Sequence, residues 1–564
     1  MTLKMDTSPA NHRKRNMTNA AETRTMTAGE AVVDGLVRNG IDTLFCLPGI
    51  QNDLFFDALH ARTDEIRPIH TRHEQAVAYM ALGAAQATGK PSAFCVVPGP
   101  GFLNASTALA TAYSTSSKVL ALLGQIPLAA IDRGYGLLHE IRDQMGILRT
   151  MTKWAERIEG PTEAARLTQE AFRQFGAGRP RPIGLECPMD VWGRAAPVTP
   201  PNGPAEETVV DVDIDKVEAA AKMLGAAKNP MIVVGGGAQE ASAEVREVGE
   251  MLEAPVCSFR LGRGVLDSRH HLSITMPTGH RLWKDVDVVL GVGTRMQPHQ
   301  QLWGTDSDLK MIRIDLSAEE MDRINKPDIG IVGDAATVLT ALANALPKHN
   351  AKRASRKDEL DEARAKTMEM LAPLAPQLAY IDAIRNALPE DGVFIDELTQ
   401  VSYISRLAMP VYNPRSFIAS GYQGTLGWGY ATGLGAKVAR PNTPVLSING
   451  DGGFMFNVQE LATAVRHNIN LVAVVFNDGA YGNVQRIQKL SYGNRMIASD
   501  LTNPDFCKLA ESFGVAALKA TSPEQLQDRI EEAFKMDAPV LIEAPVGEMP
   551  DPWSSVLNLP RVRG

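Results

Sequence analysis

One stretch, residues 445–485, constrains the fold of this chain more than any other. It reads VLSINGDGGFMFNVQELATAVRHNINLVAVVFNDGAYGNVQ, and its apolar runs at 445–448 and 471–476 are typical of buried strands. A glycine-rich turn at 449–453 follows the first run, and glycine there lets the backbone approach a ligand closely. A helix is predicted from Asn457, because polar residues precede an apolar helical pattern. The stretch therefore predicts a β-α-β unit in a parallel sheet.

Oxygen-bearing groups follow both predicted strands. Asp451 lies in the first turn and Asn477 follows the second run. Parallel neighbours deliver both residues to the same carboxyl edge, where open α/β sheets bind ligands. With the backbone carbonyl of Gly479 they make three hard oxygen ligands, a set that suits Mg²⁺. The amides of Gly452 and Gly453, beside a helix N-terminus, are predicted to hold phosphate groups.

The order and spacing of several motifs resemble a known family. The sequence GDG at 450–452, then 24 residues, then Asn477, resembles the diphosphate motif of thiamine diphosphate-dependent enzymes. The alternative is an ordinary Rossmann-like crossover that happens to contain GDG. Two further segments argue against that alternative, because they resemble the acetolactate synthase branch of the family. They are TRHEQAVAYMALGAAQATGKP at 71–91 and GPGFLNASTALATAY at 99–113, the second of which is followed by GQIP. The match covers most of residues 27–552.

The resemblance implies a catalytic role for Glu74, which would hydrogen-bond N1′ of the cofactor's aminopyrimidine ring. The alternative is a helix-terminal carboxylate stabilised by the helix dipole. Residues 421–429, called here the aminopyrimidine loop, resemble the family's loop under that ring; Leu426 would be the apolar wedge that bends the cofactor, or else plain core packing. The cofactor-binding residues implied are Pro48, Glu74, Thr399, Gln400, Gly424, Leu426, Asp451, Gly452, Gly453, Asn477, Gly479, Ala480 and Tyr481, with Asp451, Asn477 and Gly479 also holding Mg²⁺.

The resemblance implies a thiamine diphosphate- and Mg²⁺-dependent enzyme that makes or breaks a C–C bond beside the carbonyl of a 2-oxo acid. Within the family, the resemblance is greatest to acetolactate synthase, which decarboxylates pyruvate and carries out its carboligation. The alternative is a non-oxidative 2-oxo acid decarboxylase or C–C lyase that releases an aldehyde. The family builds its site between two chains, so a homodimer or homotetramer is expected. A small-molecule 2-oxo acid or acyl donor and acceptor are the expected partners.

Three segments depart from the acetolactate synthase pattern. The tryptophan that would recognise the second 2-oxo acid aligns with Ile487, and Asn483 lies in the same altered run. Residues 129–146, beyond Gln125, lack the usual phenylalanine-containing motif and carry charged residues, which a solvated helix face would also explain. We therefore predict that Gln125, Asn483 and Ile487 contact the substrate. The segment SITMPTGH at 273–280 is shorter than in flavin-binding relatives, so FAD remains an alternative that the sequence does not favour.

Strand–turn–helix repeats predict an α/β fold of three doubly wound parallel-sheet domains. We predict a disordered lead-in at residues 1–25 and an N-terminal pyrimidine-binding domain at 26–194. A linker is predicted at 195–207 and a central Rossmann-like domain at 208–349. The C-terminal diphosphate- and Mg²⁺-binding domain is predicted at 375–552. A capping box beginning at Ser317 is also predicted to start a helix.

Composition excludes two classes of partner. A net charge of −8 without a basic stripe argues against nucleic acid. The absence of an apolar run of about 18 residues argues against a membrane span. An odd number of scattered cysteines, five with no CxxC pair, and a polar first segment without an apolar signal core favour reduced thiols and a cytoplasmic protein.

Overall fold

Three six-stranded parallel sheets organise the computed structural model, which describes residues 22–206, 208 and 210–564. Helices surround each sheet, and the three sheets follow one another along the chain. This confirms the predicted α/β class with three doubly wound domains. The exact domain boundaries, at 26–194, 208–349 and 375–552, stay predictions.

The first sheet has the strand order β3-β2-β4-β5-β7-β6. Its helix α1 begins with a full capping box, in which Thr27 accepts a hydrogen bond from the backbone N–H of Glu30 and the Glu30 carboxylate accepts one from Thr27. The elements of this part of the chain are β1 (Arg24–Thr27), α1 (Ala28–Arg38), β2 (Thr43–Cys46), α2 (Asp53–His60), β3 (Arg67–His70), α3 (Glu74–Thr88), β4 (Ser92–Val96), α4 (Pro100–Thr115), β5 (Val119–Gln125), α5 (Gln144–Met151), β6 (Trp154–Arg157), α6 (Pro161–Gly176), β7 (Ile183–Pro188) and β8 (Ala195–Val198).

The second sheet has the order β11-β10-β9-β12-β13-β14. Its two central strands, β9 and β12, are fully buried apolar runs, as expected for a parallel sheet covered on both faces. The elements are α7 (Ile214–Ala226), β9 (Pro230–Val234), α8 (Ser242–Leu252), β10 (Val256–Ser258), β11 (Ser273–Thr275), α9 (Met276–Trp283), β12 (Val288–Val292), β13 (Lys310–Asp315), β14 (Ile329–Val332) and α10 (Ala335–Ala345), and the helix α11 (Lys357–Leu371) leads out of this domain.

The third sheet has the order β16-β15-β17-β18-β20-β19. The predicted β-α-β unit forms its centre, with β17 paired in parallel with β18. The elements are α12 (Ala375–Ala387), β15 (Val393–Asp396), α13 (Gln400–Ala408), β16 (Phe417–Ile418), α14 (Gly429–Ala439), β17 (Val445–Gly450), α15 (Asp451–Phe454), α16 (Leu461–His467), β18 (Val472–Asn477), α17 (Gly482–Ser491), α18 (Phe506–Ser512), β19 (Ala516–Lys519), α19 (Pro523–Lys535) and β20 (Val540–Pro545).

Helices α3 and α14 join the first and third domains through an unusually close contact. All residues of α3 from Ala76 to Ala87 are buried. A methyl group at Gly83 would overlap the carbonyl of Thr432, and one at Gly435 would overlap the carbonyl of Met80. Because only glycine fits at both places, the two helix backbones pack directly together. One hydrophobic core therefore runs through both domains.

Three predictions about local structure were wrong. Residues 24 and 25, predicted within a disordered lead-in, belong to β1, which pairs antiparallel with β8; the lead-in at 1–21 lies outside the described residues. The first four residues of the predicted linker form β8. Ser317 does not cap a helix: its N–H donates to Asp315, and a short 3₁₀ turn follows at Ala318–Glu320. Glu320 instead turns its carboxylate toward Arg295 at 3.0 Å, a tertiary ion pair that replaces the local cap.

No helix in the described part of the chain is long and apolar enough to cross a membrane. The five cysteines are unpaired in the structure, four of them buried and Cys507 partly exposed.

Candidate functional site

The carboxyl edge of the third sheet brings Asp451 and Asn477 together. Asp451 follows β17 directly and is 2 % exposed, while Asn477 ends the neighbouring strand β18. The side-chain amide of Asn503 lies between them, donating hydrogen bonds to Asp451 Oδ2 at 2.6 Å and Asn477 Oδ1 at 3.0 Å. The backbone N–H of Gly479 donates to the same Asp451 oxygen at 2.9 Å. Asp451 and Asn477 therefore meet at one place, and Gly479 contacts Asp451 through its N–H, while its carbonyl accepts a hydrogen bond of 2.8 Å from the N–H of Leu501.

The electrostatics of this edge suit a cation. Burial raises the pKa of Asp451 above its ordinary value. Burial, followed by the neighbouring charge of Asp451, raises the pKa of Asp478 to about 6. The buried carboxylate of Asp451 and the half-buried carboxylate of Asp478 repel each other, and a divalent cation would offset that cost. The donor set of carboxylate, amide oxygen and the Gly479 carbonyl is the hard-oxygen set that fits Mg²⁺.

The turn after β17 is closely packed. A side chain at Gly452 would lie 2.6 Å from the ring of Tyr481, so the glycine lets this ring approach the turn. Ala480, next to Tyr481, is buried and pairs with Asp500 in an isolated antiparallel bridge. The Gly479 backbone has a φ of 69°, in the left-handed region that favours glycine. The predicted cofactor residues Gly452, Gly479, Ala480 and Tyr481 thus form one contiguous wall.

Helix α13 supplies the neighbouring N-terminus at this edge. Thr399 caps it, its hydroxyl accepting a hydrogen bond of 2.9 Å from the backbone N–H of Val401. The Gln400 amide donates to Asp478 at 3.3 Å and to the carbonyl of Gly547 at 2.9 Å. A helix N-terminus beside a metal-type donor set is an arrangement that fits a diphosphate.

The carboxyl edge of the first sheet carries Glu74 and Pro48. Glu74 begins α3, is partly exposed, and accepts a hydrogen bond of 3.0 Å from the Asn104 amide. Pro48 is exposed after β2. The next residue, Gly49, and Gly101 in the first turn of α4 both pack against Val97, and Gly101 also lies beside the Glu74 carboxylate. The two predicted residues therefore share one sheet edge.

The aminopyrimidine loop lies between the first and third domains. Gly424 is exposed and has a φ of 59°, and Leu426 is partly buried. The hydroxyl of Thr425 lies 3.3 Å from that of Thr111 on α4. From the other side, the buried Glu397 accepts hydrogen bonds from the backbone N–H groups of Gly427 and Gly429.

The residues predicted to contact substrate lie in two places. Gln125 is 3 % exposed; its Nε2 donates to Glu186 at 3.2 Å, and its Oε1 accepts from the N–H of Ile126 at 2.8 Å. Asn483 and Ile487 lie on α17, where every residue is at least partly exposed. Beside this helix is a cavity of about 180 Å³, lined in part by Asp478, Gly482 and Arg486.

The altered segment at 129–146 packs onto the first domain. His139 Nδ1 lies 3.1 Å from Gln51 Oε1, and Gln51 Nε2 donates to the Leu138 carbonyl at 3.1 Å. The buried Gln144 accepts a hydrogen bond of 3.0 Å from Gly99, in the turn that precedes α4. The segment therefore covers the turn next to Glu74.

Several residues at the site were not predicted from sequence, among them Asn503 and Glu397. Asn503 lies in a loop of ordinary polar composition, and nothing in its local sequence marks it. Glu397 had one signal, since it follows a predicted strand and so lies at the ligand-binding edge.

A separate cavity of about 510 Å³ lies where the three domains meet, lined among others by Gln86, Gly236 and Arg415. The expectation that FAD is not favoured stays a prediction.

Comparison with known families matches each of the three domains to a different part of one enzyme family. The N-terminal TPP binding domain of thiamine pyrophosphate enzymes matches residues 26–147, the central domain matches 217–342, and the C-terminal TPP binding domain matches 399–544. The chain belongs to the thiamine pyrophosphate enzyme family. Thiamine pyrophosphate is the same molecule as thiamine diphosphate, so the predicted family and cofactor are confirmed.

Several relatives within the thiamine pyrophosphate enzyme family match over almost their whole length. A probable acetolactate synthase large subunit of Methanocaldococcus jannaschii is 32% identical, over 92% of this chain and 91% of its own. The acetolactate synthase of Bacillus subtilis is 31% identical, over 92% of each chain. A probable 2-ketoarginine decarboxylase of Pseudomonas aeruginosa is 32% identical, over 92% of this chain and 94% of its own. The chain is thus a thiamine pyrophosphate-dependent enzyme of the transferase or lyase type, similar to acetolactate synthase.

Proposed function

We propose that this enzyme uses thiamine diphosphate and Mg²⁺ to decarboxylate a 2-oxo acid such as pyruvate and to join the remaining two-carbon fragment to a second 2-oxo acid. The observation that carries the proposal is the meeting of Asp451 and Asn477 at the edge that also holds the N-terminus of α13. When bound, thiamine diphosphate supplies a carbon nucleophile and an electron sink next to the substrate carbonyl.

The third domain would hold the diphosphate end of the cofactor. Asp451, Asn477 and the Gly479 carbonyl would bind Mg²⁺, and that ion would neutralise the diphosphate. Thr399 and Gln400, at the start of α13, and the backbone amides of Gly452 and Gly453 would donate to phosphate oxygens. The wall of Ala480 and Tyr481 would exclude water from this end.

Glu74 would hold a proton at N1′ of the aminopyrimidine ring. Its carboxylate is partly exposed and oriented by the Asn104 amide, so it remains free to accept or donate one further hydrogen bond. Gly424 would accept a hydrogen bond from the 4′-amino group through its carbonyl, and Leu426 would press the two rings toward each other. Pro48 would line the same edge.

We further propose a homodimer or homotetramer whose sites combine the first domain of one chain with the third domain of another. Helix α17 supports this, because it exposes Val484, Ile487 and Leu490 at helical spacing, with side chains 49%, 37% and 62% exposed. Exposed apolar faces of this kind mark contact surfaces. Unpaired cysteines favour a cytoplasmic location, and the proposal requires neither FAD, nucleic acid nor a membrane.

A second candidate function is non-oxidative decarboxylation of a 2-oxo acid with release of an aldehyde. The observation in its favour is the match to the probable 2-ketoarginine decarboxylase, which is as similar as the acetolactate synthases. Asn483 and Ile487, in place of the family's aromatic-containing run, would shape the acceptor side of the substrate pocket in either reaction.

Product analysis separates the two functions. The purified enzyme, with thiamine diphosphate and Mg²⁺, is incubated with pyruvate and with a panel of other 2-oxo acids. An acyloin acid from pyruvate supports carboligation, whereas free aldehyde as the main product supports decarboxylation alone. The Glu74→Gln variant in parallel identifies any background reaction. If the enzyme releases carbon dioxide from none of the 2-oxo acids in the panel, both functions are contradicted.

A further inference from the structure

Glu397 is a fully buried carboxyl group with an unusual set of partners. It follows β15, is 0 % exposed, and forms no salt bridge among the residues that the structure describes. Its two oxygens accept backbone hydrogen bonds instead, Oε1 from Gly427 at 2.6 Å and Oε2 from Gly429 at 2.7 Å. Burial raises the pKa of Glu397 to about 7. A buried carboxyl group without a cation beside it is costly, so its presence calls for a specific explanation.

The surroundings of Glu397 connect the two halves of the proposed cofactor site. A methyl group at Gly453, in the turn of the diphosphate motif, would overlap Glu397 Oε1, and one at Gly429 would lie 2.5 Å from Oε2. The Gly427 backbone has a φ of 78°, which favours glycine. The carboxyl group therefore fills the space between the aminopyrimidine loop and the turn after β17.

A second side chain holds the same loop residue from the opposite side. The Asn457 amide donates to the carbonyl of Gly427 and, at 3.2 Å, to Oε1 of Gln75. Gln75 is the neighbour of Glu74 on α3. Residue Gly427 is thus held at its N–H by Glu397 and at its carbonyl by Asn457, which also contacts α3 of the same chain.

We infer that Glu397 is a positioning residue that sets the distance between the aminopyrimidine loop, with Gly424 and Leu426, and the diphosphate-binding turn at Gly453. The inference rests on the proposed cofactor site and assigns Glu397 no contact with the cofactor. A ligand that must span both places needs this spacing, whereas a ligand that occupies only the diphosphate end does not.

The substitution Glu397→Gln tests the inference with little change in size. Glutamine has one acceptor oxygen, and its NH₂ group would face one of the two backbone N–H donors, so one hydrogen bond is lost and replaced by donor–donor repulsion. We expect affinity for thiamine diphosphate, titrated with Mg²⁺ by calorimetry, to fall by about tenfold or more. Affinity for inorganic pyrophosphate should stay within about twofold. Amide hydrogen exchange at 427–429 in the cofactor-free protein should increase.

The matched control is Glu320→Gln, which alters an equally buried carboxyl in the central domain, where Arg295 is its partner. It should leave both affinities unchanged even if it lowers thermal stability. Two results would overturn the inference. One is that Glu397→Gln binds thiamine diphosphate with an affinity within about twofold of wild type, and the other is that its affinities for thiamine diphosphate and pyrophosphate fall by the same factor. If Glu397→Gln does not fold, Glu397→Asp, with two acceptors at shorter reach, gives the same comparison. Failure of the wild-type enzyme to bind thiamine diphosphate would overturn the proposed function instead.

Discussion

The side-chain amide of Asn503 donates a hydrogen bond of 2.6 Å to the carboxylate of Asp451. The same amide reaches Asn477 at 3.0 Å, so a residue from a later loop orients both proposed metal ligands. Residues that orient ligands in this way typically contribute about 10- to 100-fold to metal affinity. We predict that Asn503→Ala weakens Mg²⁺ binding by that factor, measured by Mg²⁺ titration at saturating thiamine diphosphate. The control Asn386→Ala, at an exposed position, should leave Mg²⁺ affinity unchanged. Equal Mg²⁺ affinity in the two variants would contradict the role assigned to Asn503.

Removal of Asp451 itself should have a larger effect. In Asp451→Ala the diphosphate charge would be left without its metal, so activity and cofactor retention should be lost together, with poor rescue by excess Mg²⁺. The cofactor content of the purified protein is the measurement, with the exposed Asp528→Ala as control. Stoichiometric cofactor in Asp451→Ala would show that this residue is not the ligand.

Replacement of Glu74 should separate binding from chemistry. Glu74→Gln keeps the size and the hydrogen-bonding reach but loses the carboxylate that holds the proton. We expect turnover to fall by about two to four orders of magnitude, the usual weight of acid–base catalysis, while cofactor affinity changes little. Turnover and cofactor affinity are measured beside Glu247→Gln, an exposed glutamate of the central domain. A near-normal rate in Glu74→Gln would remove Glu74 from the mechanism.

Acceptor choice should be broad. The sequence resemblance implies that Ile487 replaces a tryptophan of the acetolactate synthase pattern. An apolar pocket distinguishes substrates that differ by one methylene by only about 1–3 kcal/mol. We expect no strong preference when pyruvate and 2-oxobutanoate compete as acceptors at equal concentration, with product ratios read by chromatography. A strong bias toward 2-oxobutanoate would show that recognition does not need the tryptophan.

Acid should weaken the contact between the first and third domains. His467 Nε2 donates to the carbonyl of His70 at 3.1 Å, and burial, with the nearby charge of His70, lowers the pKa of His467 to about 4. Because the folded state disfavours the protonated form, the unfolded state binds more protons between about pH 6.5 and pH 4, and the free energy of unfolding falls as pH drops through this window. Arg67, Arg72 and Arg466 face the same pair and add to the effect.

Denaturant unfolding at pH 7 and pH 5 measures this dependence. His467→Asn should show a smaller loss of stability on acidification than wild type, and the exposed His60→Asn should behave like wild type. Identical pH dependence in all three proteins would rule out His467 as the source.

The fold was largely predictable because buried parallel strands are continuous apolar runs that end in turns, and 445–485 shows this most clearly. Asp451 and Asn477 could be placed together because strand ends in a parallel sheet coincide. Asn503 could not be placed, since a loop side chain reaches the site only through tertiary packing. The predicted cap at Ser317 failed for a related reason: Glu320 is recruited by Arg295 and, from another domain, by Arg179 at 3.3 Å. Ion pairs between distant segments override local propensity, and no local pattern reports them.

The direct contact between α3 and α14 has a consequence for gene recombination among relatives. A hybrid chain that takes its first domain from one parent and its third from another must reproduce the fit at Gly83 and Gly435 at once, since a methyl group on either side meets a carbonyl of the other helix. The central domain has no part in this helix crossing. The outer two domains, although the central domain separates them in the sequence, are therefore expected to be inherited as a pair.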